Sequence, residues 1–135
     1  MINNSTSFLL GRLAIATSLF GHGLVRLFKL SSFSAWMVHS FEKSILPNAL
    51  VIPFSYALPF AEFLTGLLLL IGLFTRTALI AGAILMISLL FGTAMIENWE
   101  SIPTQLIHVA FFVVLLSNIQ FNRFALDNLL KKSTN

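Results

Sequence analysis

Residues 54–74 read FSYALPFAEFLTGLLLLIGLF, an apolar run in which Glu62 is the only charged side chain. About 20 consecutive apolar residues form a helix long enough to cross the roughly 30 Å hydrocarbon core of a membrane. Comparable runs occupy residues 8–28, 77–96 and 102–121. The sequence therefore predicts four membrane-spanning helices.

The composition of the whole chain is that of a membrane protein. Of its 135 residues 57% are hydrophobic and only 10% are charged, and the mean hydropathy is +0.91. Because a soluble domain carries about 25% charged residues, this composition excludes a water-soluble globule. The eight Lys and Arg residues, which contribute to a net charge of +3, are dispersed among apolar runs and form no basic stripe. We therefore expect the chain to contact the lipid bilayer and not nucleic acid.

Residue types and motifs that carry familiar chemistry are missing from the sequence. The chain has no cysteine, which excludes disulfides, thiol nucleophiles and cysteine-ligated clusters, so redox chemistry would need a borrowed cofactor. No H-E-x-x-H, P-loop or G-x-S-x-G motif occurs, and we predict no metal site. The N-terminus lacks the basic region and cleavage pattern of a secretory signal. The first apolar run should therefore remain in the protein as an anchor.

The connections between the last three spans are short. Only Thr75-Arg76-Thr77 separates the second span from the third, and residues 97–101 separate the third from the fourth. Spans joined this closely are antiparallel neighbours. The sequence therefore predicts an all-α fold, an up-down four-helix bundle formed by a single domain over residues 1–135.

Small residues indicate where the helices of this bundle should touch. Ala57, Ala61 and Thr65 recur every four positions on the second span, as Ala78 and Gly82 do on the third. Small side chains at this spacing let helix backbones approach closely. We therefore predict helix contacts along both stripes.

The segment between the first two spans, residues 30–53, has a different pattern. If it is helical, its large apolar side chains fall on one side and its polar ones on the other, which predicts an amphipathic helix lying at the membrane interface. A loop folded over the mouth of the bundle is the alternative. The apolar side of the helix would carry Phe33, Trp36, Met37, Val38, Phe41 and Ile45.

Basic residues near the span ends predict the orientation, because Lys and Arg are enriched on the cytoplasmic side. The side of the membrane that carries both termini holds Arg76, Arg123, Lys131 and Lys132. The other side has Lys29 and Lys43, whose charges are offset by three acidic residues. The sequence thus predicts both termini in the cytoplasm, with Arg12 extending its side chain to the cytoplasmic interface.

Three ionisable side chains of the predicted spans, those of His22, Glu62 and His108, should lie at similar depth, and Arg26 lies one turn beyond His22 on the first span. At a rise of about 1.5 Å per residue, His22 and His108 lie about 9 Å, and Glu62 about 12 Å, inside the outer ends of their spans. A charged group at the bilayer centre costs at least about 2.5 to 3.5 kcal/mol, so each must face protein or water. We therefore predict that His22, Arg26, Glu62 and His108 cluster in the outer half of the bundle, with Gln105 about one turn above His108.

Two compatible interpretations of this cluster follow. Glu62 is either only the ion-pair partner that lets Arg26 stay buried, or also part of the wall of a polar pocket. In the pocket, Arg26 or a histidine would donate to an oxygen of a quinone-like ligand while Glu62 orients the donor. Trp36 or Phe41 would cap it. A haem between two of the histidines is much less favoured, because no spacing motif supports it.

Four stretches of the chain match one known pattern. Residues 11–28 have an arginine near their start and, near their end, His-Gly followed by a basic residue. Residues 59–62 (PFAE) supply an acidic residue, and residues 72–76 (GLFTR) a G-L-x-T-R turn. Residues 122–127 (NRFALD) form a closing segment that runs from asparagine to aspartate. In these features, over nearly the whole chain, the sequence resembles the DoxX family of membrane proteins.

The resemblance implies a four-span protein of the bacterial inner membrane. Members of the family include the small subunit of a thiosulfate:quinone oxidoreductase, and others are associated with redox or oxidative-stress functions. The chain departs from thiol-redox relatives in having no cysteine, which excludes a dithiol mechanism of its own.

The predicted polar cluster and the resemblance to the DoxX family together predict a small membrane subunit. This subunit would bind a quinone-like molecule, or dock a redox partner protein, in the outer half of the bundle. Such a chain would be a subunit of a quinone-linked oxidoreductase rather than an enzyme on its own. The alternative is an assembly or scaffold protein whose buried charges only specify helix pairing. A small-solute transporter is the least favoured function, because the spans contain no inverted repeat.

Overall fold

Helices form every regular element of residues 4–133, which the structure, a computed structural model, describes except for the side chain of Lys132. The all-α prediction is confirmed. The elements are α1 (Asn4–Phe28), α2 (Leu30–Phe41), α3 (Asn48–Ile71), α4 (Thr75–Met95), α5 (Ile102–Ser117), a short 3-10 helix (Ile119–Phe121) and α6 (Leu126–Ser133).

Three of the described helices, α1, α3 and α4, are long and apolar enough to cross a membrane. The fourth predicted span, residues 102–121, is divided, because α5 ends at Ser117 and only the 3-10 helix follows. Asn118 ends α5: its side-chain amide donates to the carbonyl of Val114 at 2.8 Å, which satisfies an acceptor of the last turn.

The segment predicted as one interfacial element is divided as well. Helix α2 ends at Phe41, whose carbonyl accepts a hydrogen bond from the Ser44 hydroxyl at 2.8 Å. Pro47 has an extended backbone and precedes α3, which begins at Asn48 rather than at residue 54. Ile45, expected on the apolar side of the helix, lies in the connecting turn and is 86% exposed.

The four longest helices contact one another in a closed order, with α1 against α3, α3 against α4, α4 against α5 and α5 against α1. Apolar side chains from all four meet in one core. Helix α2 packs on the outside of α3, where Met37 is buried and the hydroxyls of Ser34 and Ser55 share a hydrogen bond of 2.7 Å. The core includes Ile15, Leu19, Leu69, Leu79, Met86 and Phe112.

Helices α1 and α3 make the most extensive contact, and two glycines allow it. The backbone of Phe63 leaves no room for a Cβ at Gly23, and the backbone of Phe20 leaves none at Gly66. The predicted stripe on the second span is therefore not the closest contact, and its first member, Ala57, is exposed.

The stripe on α4 lies at a helix contact, as predicted. Ala78 is buried, and Gly82 abuts the ring of Phe112 from α5. The small side chains let this large ring fill the space between the two helices.

Arg12 is buried rather than extended to the membrane surface. Its side chain is 2% exposed, and its two terminal nitrogens donate to the Asn122 side chain at 2.7 Å and to the Phe124 carbonyl at 2.8 Å. The predicted extension of Arg12 to the interface is wrong, because the segment after the 3-10 helix folds back over α1 and supplies oxygen acceptors.

The same segment holds the start of α4. The carboxylate of Asp127 accepts hydrogen bonds from the backbone N–H groups of Phe74 at 2.7 Å and Thr75 at 2.9 Å. The Asp127 N–H donates to the carbonyl of Gly72, whose φ of 70° and contact with Arg12 both require glycine. Asp127 thus caps α4 from a distant part of the chain.

These bonds change the acidity of Asp127. Partial burial by itself would raise its pKa, but the N–H groups of Thr75 and Phe74 outweigh that effect and hold the pKa below the ordinary value of 3.8. Because the pKa is lower in the folded than in the unfolded state, the stabilisation is fully present above pH 3.8. It is lost as the pH falls through the folded-state pKa.

We expect Asp127→Asn to lower the free energy of unfolding at pH 7 by about 1 kcal/mol, the usual cost of weakening a helix N-cap. The difference from the unmodified protein should shrink as the pH falls below 3.8, because protonated aspartate resembles asparagine. Thermal unfolding in detergent micelles between pH 7 and pH 3 measures both. Glu97→Gln at an exposed carboxylate is the control, and a difference that is unchanged down to pH 3 would contradict the assignment.

Candidate functional site

The four residues predicted to cluster come from three helices and line one cavity of about 500 Å³. His22 and Arg26 lie on α1, Glu62 on α3 and His108 on α5. The structure therefore brings all four predicted residues together, as the similar depth predicted for His22, Glu62 and His108 implies.

Arg26 and Glu62 form a salt bridge across α1 and α3. The same guanidinium nitrogen, Nη1, lies 2.6 Å from Oε1 and 2.7 Å from Oε2 of Glu62. The Glu62 side chain is 3% exposed and that of Arg26 is 28% exposed. The Arg26 guanidinium also lies over the ring of Phe33, 4.7 Å from its centroid, which links α2 to the pair. The predicted ion pair is confirmed.

The two histidines are joined through Ser18 of α1. His108 Nε2 lies 2.8 Å from the Ser18 hydroxyl, and His22 Nδ1 lies 2.8 Å from the Ser18 carbonyl oxygen. His108 Nδ1 lies 2.8 Å from the carbonyl oxygen of Thr104. Because a carbonyl oxygen only accepts hydrogen bonds, Nδ1 carries a proton in both rings. The hydrogen bond between Ser18 and His108 Nε2 ties α5 to α1.

Gln105 also lines the cavity, one turn before His108 on α5. Its side-chain nitrogen donates to the Thr93 hydroxyl of α4 at 2.8 Å, whereas its oxygen, Oε1, is buried and has no hydrogen-bond partner in the described part of the chain. The sequence predicts Gln105 at this level, one turn from His108, but Gln105 is not among the four predicted site residues. The spacing of three residues from His108 was the available signal.

The rest of the cavity is largely apolar. Helix α2 contributes Trp36 and Phe41, the two residues predicted to cap the cavity, and the connection before α5 contributes Asn98 and Glu100. Polar groups thus line the cavity both at the Arg26–Glu62 pair and at the connection before α5, and aromatic and aliphatic side chains form most of the remainder. Those apolar side chains include Phe33, Met37, Phe54, Leu58, Met86 and Leu89.

We expect Glu62→Ala to lower the free energy of unfolding by about 3 to 5 kcal/mol, because it leaves the Arg26 cation in an apolar environment without a partner. Glu62→Gln keeps a hydrogen-bond acceptor and should cost less. Thermal unfolding in detergent measures both.

Glu42→Ala is the matched control, since the Glu42 side chain is 59% exposed and its partner His39 is 81% exposed. Equal losses for Glu62→Ala and Glu42→Ala would show that the buried pair contributes no more than a surface pair.

The comparisons with known proteins agree with the resemblance found in the sequence. The sequence model of the DoxX family matches residues 7–96, which contain His22, Arg26 and Glu62 but not His108. Comparison with curated proteins gave no match, and comparison with solved structures gave none. Because the match covers more than half of the 135 residues, the chain belongs to the DoxX family.

Proposed function

We propose that the chain is a small integral membrane protein of the bacterial inner membrane whose cavity binds a quinone-like, lipid-soluble ligand. In this role it is a redox-associated subunit. The observation that carries the proposal is the cavity of about 500 Å³, in which the Arg26–Glu62 pair faces an apolar, partly aromatic lining.

The proposed membrane arrangement is a four-helix bundle of α1, α3, α4 and α5, with the 3-10 helix completing the fourth span. Helix α2 lies at the outer interface, where the amphipathic ring of Trp36 is favoured. Arg76, Arg123 and the basic C-terminal end support a cytoplasmic location for both termini.

Reporter fusions at the two termini test this arrangement. We expect a cytoplasmic signal from both ends. Termini on opposite sides of the membrane would mean an odd number of spans, and two periplasmic termini would reverse the orientation and place the cavity in the inner half.

The composition of the cavity suits a ligand with a polar head and an apolar body. Its volume lies within the range of about 300 to 1,000 Å³ that small-molecule pockets occupy. Arg26 supplies N–H donors for a carbonyl oxygen of the quinone, and Trp36, Phe41 and Leu58 supply apolar contact.

A quinone, when bound, supplies reversible electron and proton uptake that no side chain of this chain provides. The chain's own residues would bind and orient it. Because the chain has no cysteine, the electrons would come from a redox partner protein docked at the membrane surface.

A scaffold function is the second candidate, and one observation favours it. The Arg26–Glu62 pair joins α1 and α3 beside their closest approach at Gly23 and Gly66. A buried pair in this position specifies which helices associate and in which register, without any ligand.

The two tryptophans of the chain allow a direct binding test. Trp36 lines the cavity, whereas Trp99 is 63% exposed and lies outside the lining. Trp99→Phe therefore leaves a single fluorophore in the lining, and Trp36→Phe leaves one that is exposed and outside the lining. We expect duroquinone to quench the fluorescence of the Trp99→Phe protein saturably in micelles, and that of the Trp36→Phe protein only in proportion to its concentration.

A charge-free pair, Arg26→Gln with Glu62→Gln, should weaken duroquinone binding about tenfold, because a charged donor is worth about 1.5 to 3 kcal/mol. Arg123→Gln, at an exposed arginine outside the cavity, is the control. Equal, non-saturable quenching of both tryptophans would refute ligand binding and favour the scaffold function.

A further inference from the structure

Helix α6 lies at the end of the bundle where α3 turns into α4. The Asp127 carboxylate accepts hydrogen bonds from the N–H groups of Phe74 and Thr75. The side chain of Asn128 donates to the carbonyl of Arg123 at 2.9 Å. These hydrogen bonds use the polar side of α6 and fix the helix to the turn and to the segment before it.

The other side of α6 is apolar and exposed. Leu126, Leu129 and Leu130 share this side, because residues three and four positions apart on a helix are neighbours. Leu129 is 66% exposed, and the other two leucines are exposed as well. Phe74 in the adjoining turn and Phe124 just before α6 are exposed too. This end of the bundle therefore presents five large apolar side chains outside the core.

Exposed basic side chains border these apolar residues. Arg123 lies in the segment just before α6, and Lys131 lies on the helix, one turn after Asp127. Arg76 follows Thr75, whose N–H donates to Asp127. The salt bridges of the described residues involve neither arginine. Among the described residues at this end of the bundle, Asp127 is the one acid, so basic side chains are in excess.

A bilayer surface that contains anionic phospholipid fits both properties, because its headgroups attract Lys and Arg while its acyl chains take up apolar side chains. A second copy of the chain fits poorly, since it would bring the same basic residues together.

We propose that the α6 surface, formed by Arg76, Arg123 and the leucines of α6, binds anionic phospholipid of the bilayer. In this arrangement the two arginines lie at the headgroups and Leu129 lies among the acyl chains. The inference goes beyond the proposed function and does not depend on the cavity.

Native mass spectrometry of the protein in micelles, titrated with phosphatidylglycerol or phosphatidylcholine, tests the charge preference. The two probes carry the same acyl chains and differ in the charge of the headgroup. We expect phosphatidylglycerol to bind about 25-fold more tightly, since two arginines contribute about fivefold each near anionic lipid. Arg76→Gln with Arg123→Gln should reduce the preference to about fivefold or less, the share that Lys131 retains.

The chain contains a matched control, because Lys29 and Lys43 are exposed and lie towards the other end of the bundle. Lys29→Gln with Lys43→Gln removes the same total charge and should keep the preference. Equal binding of the two lipids, a preference that survives the arginine substitutions, or an equal loss in both double variants would overturn the proposal.

The absence of cysteine allows a second test of where Leu129 lies. Leu129→Cys carries a single bimane label, and Glu42→Cys, whose native side chain is 59% exposed, carries the reference label. In phosphatidylglycerol vesicles we expect nitroxide-bearing lipid to quench the label at residue 129, and aqueous iodide to quench the label at residue 42. A label at residue 129 that iodide quenches as strongly would overturn the proposal in favour of a soluble partner for α6.

Discussion

The Arg26–Glu62 salt bridge is the interaction on which the cavity end of this protein depends. Two full charges in an apolar environment are tolerated only when each neutralises the other, and both Glu62 oxygens lie within 2.7 Å of one guanidinium nitrogen. The pair requires α1 and α3 to be close, which Gly23 and Gly66 permit. It also sets the position of α2, because Phe33 packs against the guanidinium.

A second polar cluster, around Arg12 and Asp127, lies towards the other end of α1, and there too buried charged groups are bound by hydrogen-bond partners. Arg12 donates to Asn122 and to a backbone carbonyl, while Asp127 caps α4 and its own N–H binds Gly72. Three of the four stretches that carry the resemblance to the DoxX family thus meet through hydrogen bonds at one place, whereas Glu62, from the fourth, lies at the cavity. Hydrogen bonds among Arg12, the G-L-x-T-R turn and the closing segment attach residues 122–127 to α1 and α4.

The division between the two clusters bears on function. Unpaired polar atoms do not distinguish them, because Arg12 Nε and Thr75 Oγ1 of the one, like Gln105 Oε1 beside the other, are buried without a hydrogen-bond partner in the described part of the chain. The clusters differ in the space beside them. Arg12 is 2% exposed and is bonded to Asn122 and to the Phe124 carbonyl, which stabilises the fold, whereas Arg26 and Glu62 line a cavity of about 500 Å³.

The sequence by itself determined the helical class, the apolar spans and the common depth of His22, Glu62 and His108. Apolar length and a fixed rise per residue are properties of single helices. Tertiary structure alone decided that Arg12 is buried and that Gln105 lines the cavity while its side-chain nitrogen bonds to Thr93. Those outcomes depend on which helix faces meet and on where the chain after α5 returns, and contacts between distant segments leave no periodic pattern in the sequence.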